Sequence, residues 1–235
     1  YKQGVDAAWL PALEYMRLDE DGRPEAGEIK ARVIPLIRRK GQHRVYITQG
    51  FIGRNRNNGE VATLSRGGSD YTATLLGEAL GADEVQIWTD VDGVYSADPR
   101  IVPNAHCIAT MSYSQADAAA RLGAKILHPE CVLPAMRGAY RLWVLDSFHP
   151  DAPGTLIGPY DDTEGLVALA RIKGDNESEI SIVGHKSAIE RISSEQLASL
   201  PGVNNIRKAD SYVSMTVDNS LSDETMRTIH KLYFE

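Results

Sequence analysis

The sequence predicts an α/β protein in two parts, a three-layer α/β domain followed by a small α+β unit. Between residues 44 and 145, β-rich segments alternate with segments of helical spacing. This alternation is typical of a mostly parallel sheet covered by helices. Between residues 151 and 162 the composition turns to Pro, Gly and Asp, which indicates a linker. We therefore expect one domain at residues 1–158 and a second at residues 159–235.

The first strand is predicted at residues 44–48, and the glycines that follow it allow a sharp turn at its carboxyl end. A polar loop and a short apolar stretch then lead to a helix at residues 70–80. We expect Ser69 or Asp70 to cap this helix and Gly81 to end it.

The alternation continues with a strand at residues 84–89 that runs into a second loop. Ser112 and Gln115 form a capping-box pattern before a helix at residues 116–122. Another helix begins near Pro129, because proline is tolerated in a first helical turn. In such a domain, ligands usually lie across the carboxyl ends of the strands.

The remaining elements follow from apolar periodicity. We predict strands at residues 142–145, 180–183 and 212–217, and amphipathic helices at residues 189–200 and 223–232.

Composition limits the classes of partner. A net charge of -7 and a pI near 5.4 make nucleic acids and anionic membranes poor candidates. Cys107 and Cys131 lie outside any CxxC pattern, which predicts free thiols in a reducing compartment. The polar first residues do not have the form of a signal peptide, and no apolar run approaches the roughly 18 to 20 residues that span a bilayer. We expect a cytoplasmic protein.

Residues 66–70 (Arg-Gly-Gly-Ser-Asp) combine an anion-binding turn with two charged side chains. Glycine amides can approach a ligand closely, and the helix N-terminus that follows carries partial positive charge. Arg66 offers a planar fork for a carboxylate, and Asp70 could orient a reacting group or accept its proton. An ordinary tight turn before a capped helix has the same composition. Spacing alone leaves both interpretations open.

Residues 89–100 place acidic, hydroxyl, aromatic and guanidinium groups in one loop directly after a strand. Such a loop could hold a nucleotide. Alternatively, Asp92 and Gly93 form only a type I′ turn, and Asp98 and Pro99 only begin a loop. The spacing does not fit a calcium-binding EF-hand loop.

Other classes of site find little support in the sequence. The six histidines and two cysteines show no metal-ligand spacing, and GxSxG, HExxH and Walker-type motifs do not occur. Lys125 could reach a polyphosphate as a point charge, although alone it would be an ordinary solvated lysine. His128 is assigned no role, and no protein-bound metal is expected.

Four segments together resemble the aspartokinase family in order and spacing. They are residues 48–53 (Thr-Gln-Gly-Phe-Ile-Gly), 63–73 (Thr-Leu-Ser-Arg-Gly-Gly-Ser-Asp-Tyr-Thr-Ala), 88–95 (Trp-Thr-Asp-Val-Asp-Gly-Val-Tyr) and 123–129 (Gly-Ala-Lys-Ile-Leu-His-Pro). The match covers roughly residues 40–158. The Thr-Asp-Val-Asp-Gly stretch is shared with other amino-acid kinases, including glutamate 5-kinase and uridylate kinase, whereas the Arg-Gly-Gly-Ser-Asp-Tyr-Thr-Ala run is specific to aspartokinases.

The resemblance implies the C-terminal part of an amino-acid kinase fold and transfer of the ATP γ-phosphoryl group to the β-carboxylate of L-aspartate. The product is 4-phospho-L-aspartate, which begins lysine, threonine and methionine synthesis, and Mg²⁺ accompanies ATP. The implied aspartate site comprises Arg66, Gly67, Gly68 and Ser69, with Asp70 as the catalytic residue beside the reacting groups. The implied nucleotide site comprises Thr89, Asp90, Tyr95, Arg100, Lys125 and Ile126.

Two departures from the family matter. The family's Lys-x-Gly-Gly-Thr-Ser phosphate loop has no counterpart here, so we expect this chain to be incomplete and inactive alone. The family also carries two ACT modules, and only about one module's length follows residue 158. Residues 179–235 resemble the late ACT segment, which implies an ACT-like region, a homo-oligomer, and lysine or threonine as candidate inhibitors. An ACT-like unit that only dimerises is the alternative.

Two further functions stay open at this point. The first is another kinase of the same fold, such as one resembling glutamate 5-kinase. The second is a non-catalytic amino-acid sensor built on an ACT-type region. Residues 66–70 favour an amino-acid kinase over a nucleotide kinase, because a clamp for an α-carboxylate has no purpose with a nucleoside monophosphate.

Overall fold

The computed structural model describes residues 4–64, 67–124, 127–160 and 164–235. The described chain is a mixed α/β protein, as the sequence predicts, and its strands form four sheets. Its residues group into two compact units. Unit 1 contains Tyr1–Val85 and Glu130–Arg141, and unit 2 contains Gln86–Pro129 and Leu142–Glu235. The three-layer arrangement and the domain limit at residue 158 stay predictions.

The strands are β1 (Ala7–Leu10), β2 (Arg17–Leu18), β3 (Val45–Thr48), β4 (Ile52–Asn55), β5 (Val61–Thr63), β6 (Glu84–Thr89), β7 (Thr110–Ser112), β8 (Arg141–Asp146), β9 (Thr155–Gly158), β10 (Leu166–Lys173), β11 (Glu177–Gly184), β12 (Val203–Lys208) and β13 (Tyr212–Asp218). The helices are α1 (Ala12–Tyr15), α2 (Ala26–Lys40), α3 (Gly68–Leu80), α4 (Tyr113–Arg121), α5 (Pro129–Gly138), α6 (Lys186–Arg191), α7 (Ser194–Ala198) and α8 (Ser222–Tyr233).

Unit 1 contains two small sheets. Strand β1 pairs in parallel with β3, while β2, β4 and β5 form a second sheet in which β2 and β4 are parallel and β5 is antiparallel to β4. Helix α2 buries Ile29, Val33 and Leu36, which recur at helical spacing and form one apolar stripe. Burial of this stripe anchors a helix that carries charged residues on its other positions.

Unit 2 contains two four-stranded sheets. The first has the order β6-β8-β9-β7, with β8 antiparallel and β7 parallel to β9. The second has the order β10-β11-β13-β12 and is antiparallel throughout. Its core combines inward residues of the strands with residues of α6, α7 and α8, and it also takes in Ala97 and Val102 from the loop after β6. This sharing ties the loop to the C-terminal sheet.

Several predicted elements are confirmed with small shifts of their ends. The capping box of α4 forms as expected, because Ser112 Oγ accepts from Gln115 N at 3.1 Å and Gln115 Oε1 accepts from Ser112 N at 2.9 Å. Both cysteines, Cys107 and Cys131, are free thiols. Over the part of the chain that the structure describes, no helix has the length and apolarity needed to cross a membrane.

Two predictions about helices were wrong. The single helix expected at residues 189–200 is two short helices, because Ser193 Oγ accepts from Gln196 N at 3.2 Å and caps a new helix there. The N-cap of α3 is Gly67 and has no side-chain capping bond, so Ser69 and Asp70 lie inside the first turn. The apolar stretch before that turn, to which no element was assigned from the sequence, forms strand β5.

Candidate functional site

The first group of predicted site residues lies in unit 1, where α3 begins. Gly67 has a left-handed backbone with φ of 72°, which glycine adopts without strain. A Cβ atom on Gly68 would lie 2.5 Å from Phe51 Cδ2 and 2.9 Å from Leu64 Cβ, so even alanine would force these side chains to shift. Glycine is therefore favoured at position 67 by its backbone conformation and at position 68 by close packing.

The loop after β3 is held against this helix end by a short chain of hydrogen bonds. Phe51 N donates to Thr72 Oγ1 at 3.0 Å, and Thr72 Oγ1 donates to Gly68 O at 2.7 Å. Phe51 O accepts from Leu64 N at 2.8 Å. These bonds fix the position at which the first amides of α3, which have no acceptor within the helix, face outwards.

Phe51 itself has φ of 73°, an unfavourable conformation for a residue with a side chain. Strain of this kind costs about 1 to 3 kcal/mol and tends to occur at binding and catalytic sites. Sequence reasoning missed Phe51 and Thr72. The sequence signal that could have identified Phe51 is an aromatic residue in a glycine-rich turn, between Gly50 and Gly53, at a position where glycine would be expected.

Asp70 lies in the first turn of α3 and is half-buried. Burial raises the pKa of its carboxyl group, and a weak hydrogen bond from Ser69 Oγ, at 3.4 Å from Oδ1, opposes this rise. Ser69 and Gly67 are exposed beside it. The arrangement places a carboxyl group next to an exposed helix N-terminus, which favours anions. Arg66, the remaining member of this group, lies outside the described residues.

The second group of predicted residues lies in unit 2, in the loop that follows β6. Thr89 Oγ1 donates to Asp90 Oδ1 at 3.1 Å, and Tyr95 OH donates to Asp92 Oδ1 at 2.7 Å. The hydrogen bond to Asp92, together with burial, raises the pKa of Tyr95 to about 12. Asp90 is exposed and Thr89 and Tyr95 are half-buried, so this loop presents hydroxyl and carboxyl groups to a ligand.

The loop after β6 is held in place by hydrogen bonds to Thr155, which is fully buried. Its Oγ1 accepts from Val94 N at 2.8 Å and donates to Ile108 O at 2.6 Å. Gly93 has φ of 139°, and a Cβ atom there would lie 2.6 Å from Thr155 Oγ1 and 2.7 Å from Cys107 Sγ. The loop therefore packs closely against β9, as the start of α3 packs against Phe51.

A buried polar network connects the same loop to α8. Ser96 Oγ accepts from His106 N at 3.1 Å and lies 2.9 Å from His230 Nε2. The other ring nitrogen of His230 lies 3.3 Å from the Glu235 carboxylate, which can only accept. In the neutral ring, Nδ1 therefore carries the proton and Nε2 accepts from Ser96. Ser96 and His230 are both fully buried, and Ser96 Oγ also lies 3.4 Å from His106 Nδ1, so both residues belong to one polar network.

Three predicted nucleotide residues have a different outcome. Arg100 forms a two-point ion pair with Asp98, with Nε 2.9 Å from Oδ1 and Nη2 2.6 Å from Oδ2, and it is largely exposed. Lys125 and Ile126 lie outside the described residues. Arg100 therefore meets Asp98 within its own loop, a contact that the sequence analysis did not anticipate.

The carboxyl end of β6 also meets the segment after β8. Ser147 donates to Thr89 O from its backbone N at 2.8 Å and from Oγ at 2.6 Å. Phe148 next to it is 73% exposed, and Trp88 is 47% exposed. Exposed aromatic rings beside a polar loop suit stacking on a planar base. Residues 142–145 are predicted from the sequence only as a strand, and the contact of Ser147 with Thr89 follows from the fold.

Within the described residues, no three His, Cys, Asp or Glu side chains are grouped so that they could hold a metal ion.

Comparisons with known proteins place these features in a family. The amino acid kinase family matches residues 1–146. Lysine-sensitive aspartokinase 3 of Escherichia coli (strain K12) is 44% identical over 160 residues, which cover 66% of this chain and 35% of that protein. The aspartokinase of Chlamydia pneumoniae is 43% identical over 159 residues, which cover 68% of this chain and 36% of that protein. The chain thus matches about a third of the length of each of these relatives.

The crystal structure of E. coli aspartokinase III in complex with aspartate and ADP (R-state) matches all of this chain and 71% of its own, with a TM-score of 0.87 and 24% identity. This likeness shows a shared fold. Because the family match spans more than half of its length, the chain belongs to the amino acid kinase family.

Proposed function

We propose that this chain is part of an aspartate kinase, which transfers the γ-phosphoryl group of ATP to the β-carboxylate of L-aspartate. The observation that carries the proposal is the glycine turn at the start of α3, where Gly67 and Gly68 leave helix amides open beside Asp70. The similarity to relatives named aspartokinases supports it. We assign Arg66, Gly67, Gly68 and Ser69 to the aspartate site.

The proposed site fits what phosphoryl transfer requires. The bond between the γ-phosphorus and the oxygen that bridges the β- and γ-phosphorus atoms of ATP breaks, and this oxygen leaves with ADP. A bond from a β-carboxylate oxygen of aspartate to the γ-phosphorus forms. A β-carboxylate is ionised at neutral pH and has no proton to lose. Asp70 therefore serves to orient the reacting groups, and positioning with charge stabilisation provides most of the catalysis.

The nucleotide is assigned to the loop after β6, with Thr89, Asp90, Tyr95, Arg100, Lys125 and Ile126. The crystal structure with ADP bound to a protein of the same fold supports use of an adenine nucleotide. Arg100 would have to exchange part of its pairing with Asp98 for a phosphate oxygen. Mg²⁺ is proposed to enter the site with ATP, as part of the MgATP substrate.

For the C-terminal part, we propose an ACT-like region at residues 159–235 that follows a three-layer kinase domain at residues 1–158. The antiparallel sheet of β10 to β13 with its three helices is compatible with such a region. Lysine is the first effector to test, because one relative is described as lysine-sensitive and one solved aspartokinase III structure contains lysine. A homo-oligomer and a cytoplasmic location belong to the same proposal.

The test is an assay of the full-length polypeptide that measures ADP formation with aspartate, glutamate and uridine monophosphate in parallel. Of the three acceptors, we expect only aspartate to support ADP formation. Arg66→Ala should reduce transition-state stabilisation, calculated from kcat/KM for aspartate, by about 2 to 4 kcal/mol, because a charged hydrogen-bonding partner of the substrate is lost. The same variant should leave ATP binding nearly unchanged. Unchanged kinetics with aspartate would remove the assignment of Arg66. Activity that is stronger with glutamate or uridine monophosphate would overturn the proposed substrate.

A further inference from the structure

A cluster of arginines in unit 1 lines a cavity of about 580 Å³. The cavity lies between α1, α2, β2 and β4, and it uses none of the residues assigned to aspartate or the nucleotide. Its charged lining residues are Glu14, Arg17, Arg32, Arg39 and Arg54. Four positive charges against one negative charge form a local exception in a chain whose net charge is -7.

Two of these arginines come from neighbouring strands. Arg17 on β2 lies directly opposite Arg54 on β4 in the parallel pair. Like charges at directly opposite positions of a sheet destabilise it unless an anion offsets them. Within the described residues neither side chain makes an ion pair with a carboxylate, and Arg54 Nη1 donates to the neutral carbonyl oxygen of Gly59 at 2.5 Å.

The other two arginines come from one face of α2. Arg32 and Arg39 are seven residues apart, which places both on the side of the helix that faces the cavity. Each already has a carboxylate partner: Arg32 Nε lies 3.1 Å from Glu28 Oε2, and Arg39 Nη2 lies 2.6 Å from Glu14 Oε2. These pairs hold the rim in place, while Arg17 and Arg54 have no carboxylate in ion-pair contact among the described residues.

The state of Arg17 points to a missing acceptor. Its Nε is buried and has no hydrogen-bond partner among the described residues. Burial and the nearby charges of Arg32 and Arg54 lower the pKa of Arg17, and Glu28 opposes this effect. A buried guanidinium N–H that lacks an acceptor is unfavourable, and an oxyanion in the cavity would provide one after a small rotation of the side chain.

We propose that this cavity binds a small multivalent oxyanion, such as a phosphate-bearing or polycarboxylate metabolite, through Arg17 and Arg54 with Arg32 and Arg39 at its rim. Arginine suits this ligand because its planar fork can donate two parallel hydrogen bonds to two oxygens of one group. This cavity uses none of the residues of the proposed active site, so it would give unit 1 a second ligand-binding site.

The proposal is tested by calorimetric titration of pyrophosphate and of citrate into the full-length protein at constant ionic strength, with saturating ADP present to fill the nucleotide site. We expect one equivalent of one of these anions to bind to the wild-type protein. Arg17→Gln should weaken binding by about tenfold or more, the effect typical of losing a charged hydrogen bond. A preference for pyrophosphate or for citrate identifies the class of ligand.

Arg23→Gln is the matched control, because it removes the same charge from a side chain that is 77% exposed and lies outside the cavity. If Arg17→Gln does not fold, as judged by circular dichroism, the double variant Arg32→Gln and Arg39→Gln replaces it, since these side chains are 44% and 68% exposed. That double variant should also lose about tenfold in affinity.

Equal binding by the cavity variants and the wild type would overturn the proposal. So would an equal loss in Arg23→Gln, or affinity for both anions weaker than about 10 mM. Failure of ADP to bind would count against the proposed kinase function alone, because the anion site is judged by the loss of affinity in the cavity variants relative to wild type and Arg23→Gln.

Discussion

The two candidate binding surfaces are built in different ways. At the start of α3, the structure relies on space that only glycine leaves free and on the strained backbone of Phe51. In the loop after β6, it relies on buried side chains, with Thr155 beneath the turn and His230 behind Ser96. The first surface should therefore be sensitive to added volume, and the second to lost hydrogen bonds.

The largest effect is expected from His230→Leu. This change removes the buried partner of Ser96 and leaves its hydroxyl group without its main acceptor, which should lower the free energy of unfolding by about 3 kcal/mol. Urea denaturation measures the loss, and hydrogen exchange should localise it to unit 2. Weaker ADP binding should accompany it. Lys231→Ala, at the exposed next position of α8, is the control and should change stability by less than about 0.5 kcal/mol.

Gly68→Ala should come next. Its new methyl group would meet the Phe51 ring and Leu64, and overpacking of this kind costs about 1 to 3 kcal/mol. KM for aspartate should rise because the turn must move. Gly27→Ala is the matched control, since Gly27 is also helical and has nothing within 4 Å of the added carbon. The control should be neutral or stabilising by up to about 1 kcal/mol. Equal losses in both variants would show that the Phe51 contact is unimportant.

Two threonine variants sharpen the comparison directly. Thr72→Val and Thr155→Val each remove a buried hydroxyl group that joins two backbone groups, at a cost of about 1 to 2 kcal/mol each. Thr72→Val should raise KM for aspartate with little effect on ADP affinity, and Thr155→Val should do the reverse. Steady-state kinetics and ADP titration measure both. If each variant impaired both ligands equally, the two surfaces would not be independent in this sense.

The smallest effect on stability is expected from Asp70→Asn. Because burial raises its pKa, Asp70 binds a proton more tightly in the folded protein than in the unfolded chain. Its favourable contribution is therefore complete below the unfolded pKa of about 3.9 and is lost as pH rises through the higher folded value. The variant should be more stable than wild type at pH 7 by no more than about 0.5 kcal/mol, with no gain at pH 3. Its kinase activity should fall sharply.

Thermal unfolding of the wild type and Asp70→Asn across this pH range checks the prediction. A variant that is less stable than wild type at pH 7 would contradict the assigned direction of the pKa shift.

Strong periodic segments and glycine turns were predictable from the sequence alone. The capping box of α4 and strand β6 are local features, and residues 67–70 lie at the start of a helix as expected. No helix or strand was predicted within the first forty residues, although they contain α2 and three smaller elements. Their short strands and brief helix have too few residues to show a period, so tertiary contacts determine them.

The parts of the site that escaped prediction are those formed by distant contacts. Nothing near Thr155 in the sequence shows that its hydroxyl group supports Val94, sixty-one positions away. The pairing of Ser96 with His230 spans 134 positions. Such contacts follow from topology, which residue order alone did not reveal. The helix cap was misjudged for a different reason: Ser69 and Asp70 favour capping positions, but the left-handed Gly67 begins the helix before them.

The shared core of unit 2 affects where this chain can be cut. Ala97 and Val102 belong to the same apolar cluster as Leu169, Ile182 and Val213. A gene fragment that stopped at residue 158 would uncover those two side chains and leave Ser96 without His230. Linker composition marks a place where the backbone is easy to cleave, but we expect a fragment that keeps the loop after β6 in place to extend to α8.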